Sequence, residues 1–502
     1  LSTPEQQKLS VRVIALGIAA WTGFLVAHAV RVRFHLADDL YWLRHARAGL
    51  GAVWTEPSPF AHFRPGFATW LWLLSRAGLQ SPGALCMAGI ALSLVTGLLA
   101  AWAVAPVVSR RQAWLAAGLF VVSPTRWEPA FWMSAQMDTL CLAFSFACVG
   151  LGLRTGQAPG PSLARCCAIL GLAFAASVTK EYAALLPVLL AFHPGCGRAS
   201  RRIVVASAAA AGVVFALVAT LDVLPWGGRS GAFVSWARML ALPYYPAHLI
   251  LPFGSTGIRV VVGTADWVAA ATIALATATG VAVAIYVYRR HRDQPWARVG
   301  VLWLAAGAVV WGFTSLDRTI GFGCFGMALV VAGAEAHRRG LVLVLCLAWL
   351  LPWLTWQSRS LEASERSGAL MREVQQWRQA IPRGTLVALG VPCSIGGVPV
   401  MPPSEMDACA DSIASLESRA GHGGDGVVVQ AGPTQGTFTI VAKSGNRLQV
   451  KAGVDGVRFA YPDLVPQNAV VDVQEIPRRA SCGSPDLRFY DGAHLVPLPD
   501  GR

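Results

Sequence analysis

Two adjacent carboxylates, Asp38 and Asp39, lie in the stretch FHLADDLYWLRHARAGLGAVWTEPSPFAHFRPGFATWLW (34–72), which also carries His45, His62, Arg44, Arg47 and Arg64 among aromatic residues. A carboxylate of this kind can take a proton from a nucleophile, and arginine or lysine beside it can steady an anionic group. Further groups of the same type recur downstream: Arg126, Glu128 and Asp138 in TRWEPAFWMSAQMD, Lys180 and Glu181 in SVTKEYAALLP, His248 in PYYPAH, and the pair Asp317 and Arg318. All of them adjoin long apolar runs. Ionisable groups at membrane depth are costly, so their clustering at helix ends reads as a functional site.

Each group also has a plainer reading. Asp38 or Asp39 suits a helix N-cap before LYWLRHARA, Arg64 before Pro65 suits an interfacial anchor, and Lys180 with Glu181 suits a local ion pair at a hairpin tip. Asp138 is placed to pair with a neighbouring arginine. His45, His62 and His248 stand singly, without metal-ligand spacing, as interfacial hydrogen-bonding residues do. No metal site is expected from spacing, although Asp38 and Asp39 could share a divalent cation, which would relieve their mutual repulsion.

The elements that must position these groups are apolar. Of 502 residues, 55% are hydrophobic and 14% charged, too little polar surface for a soluble chain of this size. The formal charge of +14 comes from short basic clusters between apolar runs, the pattern of cytoplasmic loops in a multi-pass protein, and nucleic-acid binding is not expected.

Assigning every basic cluster to the cytoplasm gives about eleven spans, with the N-terminus inside and the tail outside. The run Val11–Val30 is expected to remain as the first span, with no cleavable signal. The first outer loop then carries Asp38 and Asp39. Phe67–Leu79 is expected to lie in the interface, Ala84–Val104 to span, and the turn after Val122 to place Arg126, Glu128 and Asp138 outside. Ala164–Phe192 lies between Arg154 and Arg165 on one side and Arg198, Arg201 and Arg202 on the other, so it is expected to be a hairpin with Lys180 and Glu181 at its tip. Each arm is roughly 13 residues, about 20 Å of helix against a ~30 Å core, which recesses the tip in the outer leaflet. Later spans end in Arg289–Arg292 and at His337–Arg339, with Asp317 and Arg318 outside and a last span over Leu341–Trp356.

Residues 1–356 are therefore read as a transmembrane domain and 357–502 as an extracytoplasmic α+β domain. Within the latter, Leu361–Ala380 has helical periodicity, and β-like runs cover Thr385–Val391, Gly426–Val429, Thr437–Ala442 and Leu448–Val450. Eleven cysteines show no C-x-x-C. Those in apolar runs read as small hydrophobes. In an exported tail, two of Cys393, Cys409 and Cys482 could pair, leaving the third unpaired, with the choice open.

The acidic pair in the first outer loop, the Arg-Pro of FRPGFATWLW, the downstream QMD and the TKEY tip occur in an order that resembles the GT-C superfamily of membrane glycosyltransferases. Protein O-mannosyltransferases and the lipid A aminoarabinose transferase are familiar members. The likeness covers roughly the first 200 residues. It implies a polytopic cell (inner) membrane enzyme that moves a hexosyl or pentosyl group, with inversion, from a polyprenyl-phosphate-linked sugar to a lipid, glycan or protein acceptor on the outer face. The residues suit that chemistry: Asp38 or Asp39 as base, Arg64, Lys180 and Arg126 holding the donor phosphate, and Glu181 orienting Lys180, Arg64 or the acceptor. His62, Glu128, Asp138, His248, Asp317 and Arg318 are further cavity candidates. The alternatives are a transporter or lipid flippase, or a membrane scaffold displaying the tail. Charges gathered at outer ends, with no evident internal repeat, favour the enzyme over a transporter.

Overall fold

The computed structural model describes residues 4–32, 39–56, 64–157, 162–194, 198–221, 245–250, 275, 278, 280–282, 285–314, 317–335 and 340–380, with short strand segments between 386 and 497. Asp38, His62 and the tail cysteines Cys393, Cys409 and Cys482 lie outside the described residues.

Helices dominate up to residue 380: α1 (Pro4–Ala29), α2 (Asp39–Arg47), α3 (Leu50–Thr55), α4 (Pro65–Arg76), α5 (Pro82–Val104), α6 (Arg110–Val122), α7 (Trp127–Phe131), α8 (Gln136–Gln157), α9 (Leu163–Ser177), α10 (Leu186–Phe192), α11 (Arg198–Leu221), α12 (Tyr245–Ile250), α13 (Pro295–Thr314), α14 (Gly321–Ala334) and α15 (Leu341–Ala380). Their starts are written locally. Ser81 caps α5 ahead of Pro82, Ser109 and Gln112 form a capping box on α6, and Ser162 caps α9, each satisfying amide groups that the helix itself leaves open.

Among the described residues, four stretches are long and apolar enough to cross a membrane: Pro82–Val104, Met133–Thr155, Pro295–Gly312 and Leu341–Glu365. Shorter apolar helices cover Ala15–Ala29, Leu163–Ser177, Glu181–Phe192, Val204–Val213 and Gly321–Ala334. The described residues thus give a mostly helical, apolar architecture without reproducing a count of eleven spans; the eighth expected span lies partly outside them.

The chain divides into two compact units: Leu1–Arg31, Trp42–Ser255 and Ala271–Thr355 in the first, and Val32–Tyr41, Thr256–Ala270 and Trp356–Arg502 in the second. In the first, α8 packs against α5, α9, α10 and α11, while α14 joins α6 to α13. The antiparallel α13–α14 pair approaches closely because small residues line it: a Cβ on Gly300 would meet Val330, and one on Gly333 would meet Trp296. Phe120, Phe146, Trp303, Phe322 and Phe325 fill the space beside this pair, with Phe146 stacked on Trp303 at 5.0 Å. Trp353 Nε1 donates to the Val122 carbonyl at 2.8 Å, tying α15 to the end of α6.

The expected hairpin is present. Along α8, Cys141 Sγ lies against the Lys180 carbonyl, Cys148 Sγ against that of Ile169, and Gly152 against Leu190 and Val204. Lys180 is therefore at one end of α8, and both arms descend beside it. The 15 residues of α9 make an arm about 22 Å long.

One boundary is corrected. A span ending at Trp356 and a separate helix from Leu361 are instead one helix of 40 residues, α15. Gln357, Ser358, Arg359 and Ser360 change polarity but include neither Gly nor Pro, so nothing there ends the backbone hydrogen-bonding; Pro352 removes one bond without breaking the helix.

In the second unit, β1 (Leu386–Pro392) pairs parallel with both β4 (Val427–Gly432) and β8 (Asp486–Tyr490), and β8 runs antiparallel to β9 (Leu495–Pro497). A two-stranded pair joins β2 (Ser394–Ile395) and β3 (Val398–Pro399). Another antiparallel sheet has the order β5 (Thr437–Ser444), β6 (Arg447–Gly453), β7 (Val470–Asp472). The parallel pairing of β1 was not readable from local periodicity.

Candidate active site

Arg64 precedes α4, where Pro65 occupies the first helical position. The next residue, Gly66, donates its backbone N–H to the Val178 carbonyl at 3.0 Å, and a Cβ on it would strike Thr179 Oγ1 and crowd the Thr179 backbone nitrogen. Only glycine lets α4 begin so close to the tip of the hairpin. This contact carries Arg64 to residues more than a hundred positions away.

At the tip the backbone leaves α9 through Val178 and Thr179 and becomes extended at Lys180 (φ −158°, ψ 138°) before the 3-10 turn Glu181–Leu185. Extended backbone sends consecutive side chains to opposite sides. Lys180 turns inward, 7% exposed, with Nζ 3.7 Å from Asp138 Oδ1 and donating to Met137 Sδ at 3.4 Å. Glu181, half exposed, receives Arg64 Nε at 2.9 Å and Nη2 at 2.8 Å on one oxygen. Arg64 Nη1 donates to the same Met137 sulfur at 3.1 Å.

The first turn of α8 divides three tasks among consecutive residues, as a helix step of about 100° requires. Gln136 accepts from Trp70 Nε1 at 3.2 Å and donates to the Leu85 carbonyl at 2.7 Å, joining α4 and α5 to α8. Met137 lies between the two cations. Asp138, fully buried, faces Lys180, and its carbonyl accepts from Tyr182 Oη at 3.0 Å.

Behind Asp138 is Arg126, in the Pro124–Arg126 turn. It is buried, donates through Nη2 to Thr139 Oγ1, and holds its guanidinium 5.1 Å from the Phe120 ring centroid. Burial pushes this guanidinium below its ordinary pKa; Cys324, Tyr182 and Asp138 oppose the shift. Glu128 is buried on the adjoining α7. The turn Asp317–Ile320 packs beside the Pro124–Arg126 turn and α7, which places Asp317 and Arg318 by their backbone.

The structure therefore gathers Arg64, Lys180, Glu181 and Asp138, with Arg126 behind. Lys180 and Glu181 are paired with other helices, Asp138 and Arg64 respectively, and so serve as more than the closure of their own hairpin. His248 is buried on α12 with its ring 4.7 Å from Trp311; Tyr245 anchors that helix by donating to the Leu304 carbonyl at 2.8 Å. Asp39 is buried at the first turn of α2, where a carboxylate favours the helix dipole, and belongs to the second compact unit. His45, six residues further along α2, has its pKa lowered by burial, with Glu56 acting in the opposite sense. Sequence reading missed Met137, Gln136 and Tyr182. The first two lie within the QMD motif and the third directly follows Glu181, so adjacency to the acidic residues was the available signal.

Among the described residues, no group of three or more His, Cys, Asp or Glu side chains is arranged to hold a metal ion.

No protein-family profile and no curated protein matches the sequence. Solved structures do. The chain is similar to an archaeal oligosaccharyltransferase, AglB, from Archaeoglobus fulgidus in complex with an inhibitory peptide and a dolichol-phosphate, at 9% identity and a TM-score of 0.45, over 78% of this chain and 65% of that one. It thus spans just under two thirds of that protein's length. The apo form of an Archaeoglobus fulgidus oligosaccharyltransferase aligns at 12% identity and a TM-score of 0.42, over 80% and 68% of the two chains. ArnT from Cupriavidus metallidurans bound to undecaprenyl phosphate aligns at 16% identity and a TM-score of 0.38, over 88% of this chain and 98% of that one.

Proposed function

We propose that this protein is a GT-C-type membrane glycosyltransferase that moves a sugar, with inversion, from a polyprenyl-phosphate donor to an acceptor hydroxyl. The observation that supports this most is the meeting of Arg64 and Lys180 on one side of α8, each backed by its own carboxylate, Glu181 and Asp138. Two mostly buried cations at the end of an apolar helix bundle suit a phosphate carried on a lipid.

In this reading Asp38 or Asp39 takes the proton from the acceptor oxygen as that oxygen bonds to the anomeric carbon. The bond from that carbon to the phosphate oxygen breaks at the same time, and the electron pair leaves with the polyprenyl phosphate. Arg64 and Lys180 stabilise the charge developing there. Arg126, enclosed behind Asp138, acts through that carboxylate. The site faces outward, since the basic N-terminus of α6 and the Arg154 end of α8 lie at the opposite ends of the same helices. Cysteine labelling from outside, beside Lys180 and after Gln357, tests this orientation; labelling only after the cytoplasm is opened would overturn it.

The activity is tested by incubating purified protein with polyprenyl-phosphate sugars and measuring release of polyprenyl phosphate. Release that depends on Arg64 and Lys180 is expected. Substrate translocation across vesicles without any release would replace this reading with that of a transporter or flippase. Neither release nor translocation would favour a scaffold.

A further inference from the structure

Arg64 Nη1 and Lys180 Nζ both point at the sulfur of Met137, at 3.1 and 3.4 Å. That is an unusual use of two cationic donors in a nearly closed setting. A thioether is a weak acceptor, whereas charge-assisted bonds to a phosphate or carboxylate oxygen are the strong ones. Glu181 holds Arg64 by Nε and Nη2, which leaves Nη1 aimed at the sulfur, and Asp138 Oδ1 lies 3.7 Å from Lys180 Nζ, farther than the sulfur. A point between two such donors is where an oxyanion would sit. Met137 itself is 4% exposed, within an apolar cluster that includes Trp42, Phe67, Leu71, Leu85 and Met133. Methionine is unbranched and adapts to irregular space, so its thioether can change rotamer and move off the cations.

We propose that Met137 is a displaceable positioning residue: its sulfur holds Arg64 and Lys180 together while the site is empty and yields its place to two oxygens of a phosphate group when the ligand enters. This rests on the reading of the site given above and deepens it. The thioether keeps the two cations at phosphate-binding separation without neutralising them. A stronger acceptor at this position would compete with the ligand; a purely hydrocarbon side chain would leave the cations more ready for it.

The test uses the full-length protein in detergent and two substitutions, Met137→Leu, of similar volume, and Met137→Gln, of similar length. Binding is measured for undecaprenyl phosphate and, separately, for inorganic phosphate. Undecaprenyl phosphate is expected to bind Met137→Leu about fivefold more tightly, and Met137→Gln about fivefold more weakly, than the wild type, the size of one net hydrogen bond. With a polyprenyl-phosphate sugar the change should fall on KM rather than kcat. Inorganic phosphate following the same order would show that the shared phosphate, not the lipid tail, is what the sulfur yields to. Inorganic phosphate failing to bind while the lipid keeps the order would leave the displacement intact and make the tail necessary for capture.

Equal affinity of the wild type and Met137→Leu for undecaprenyl phosphate, with binding still lost in Arg64→Ala and Lys180→Ala, would overturn the displacement and leave the phosphate site standing. Failure of the wild-type protein to bind undecaprenyl phosphate would overturn both. A drop in thermal stability of Met137→Gln is separated from the proposal by Met137→Leu, which keeps an apolar group of similar volume in the cluster.

Discussion

Arg64 and Glu181, 117 positions apart, are joined through two guanidinium nitrogens at 2.9 and 2.8 Å. Contact by two nitrogens fixes the plane of the guanidinium as well as its position, and that plane directs Nη1 at Met137. Arg64→Lys keeps the charge but loses this planar grip. A double-mutant cycle with Arg64→Lys and Glu181→Gln, followed by thermal unfolding, is expected to show a coupling of about 1 kcal/mol, held down because Glu181 is half exposed and screened. Strictly additive effects would mean that the contact does not position Arg64.

Asp38→Asn and Asp39→Asn preserve size and helix-capping ability. The member that acts as base is expected to lose about a hundredfold to ten-thousandfold in transfer while binding the donor normally. If both serve only to start α2, asparagine substitutes well, and full activity in the two single variants and the double variant would remove the carboxylates from the mechanism.

Asp138 is fully buried and forms an ion pair with Lys180. Asp138→Asn removes this buried counter-charge from beside Lys180, with an expected destabilisation of about 3–5 kcal/mol. Adding Lys180→Met to that variant should recover stability without recovering activity. Stability unchanged in Asp138→Asn alone would show that the lysine is accommodated by other groups.

His193 follows α10 and is buried, with Arg201 Nη2 donating to its carbonyl at 3.3 Å. Burial, then the nearby Arg201 charge, lowers its pKa from 6.5 to about 4. A histidine held neutral in the folded protein but protonated once unfolded makes the unfolded state bind more protons, so stability rises with pH across this window. Its contribution is complete above about pH 6.5 and is lost as pH falls towards about 4, by about 3 kcal/mol at most. Unfolding midpoints of the wild type and His193→Gln between pH 4 and 7 test this: the variant should show the shallower dependence, and parallel curves would remove His193 as the source.

The sequence by itself determined much of the apolar helical architecture and the hairpin at Lys180, because these follow from local spacing: uninterrupted hydrophobic runs, and basic residues flanking both ends of one apolar stretch. It also singled out the ionisable residues, since charge beside an apolar run stands out without knowledge of the fold. Which carboxylate each cation holds was decided only by tertiary structure. Lys180 and Glu181 are neighbours in sequence, yet extended backbone at Lys180 turns one towards Asp138 and the other towards Arg64. Met137 reads in sequence as one more apolar residue of a helix; its part depends on Gly66 letting α4 approach the hairpin tip closely enough for Arg64 and Lys180 to meet at its sulfur. The continuity of α15 through residues 357–360 was hidden for the complementary reason: a change in polarity alters what surrounds a helix but does not, without a breaker, interrupt its backbone.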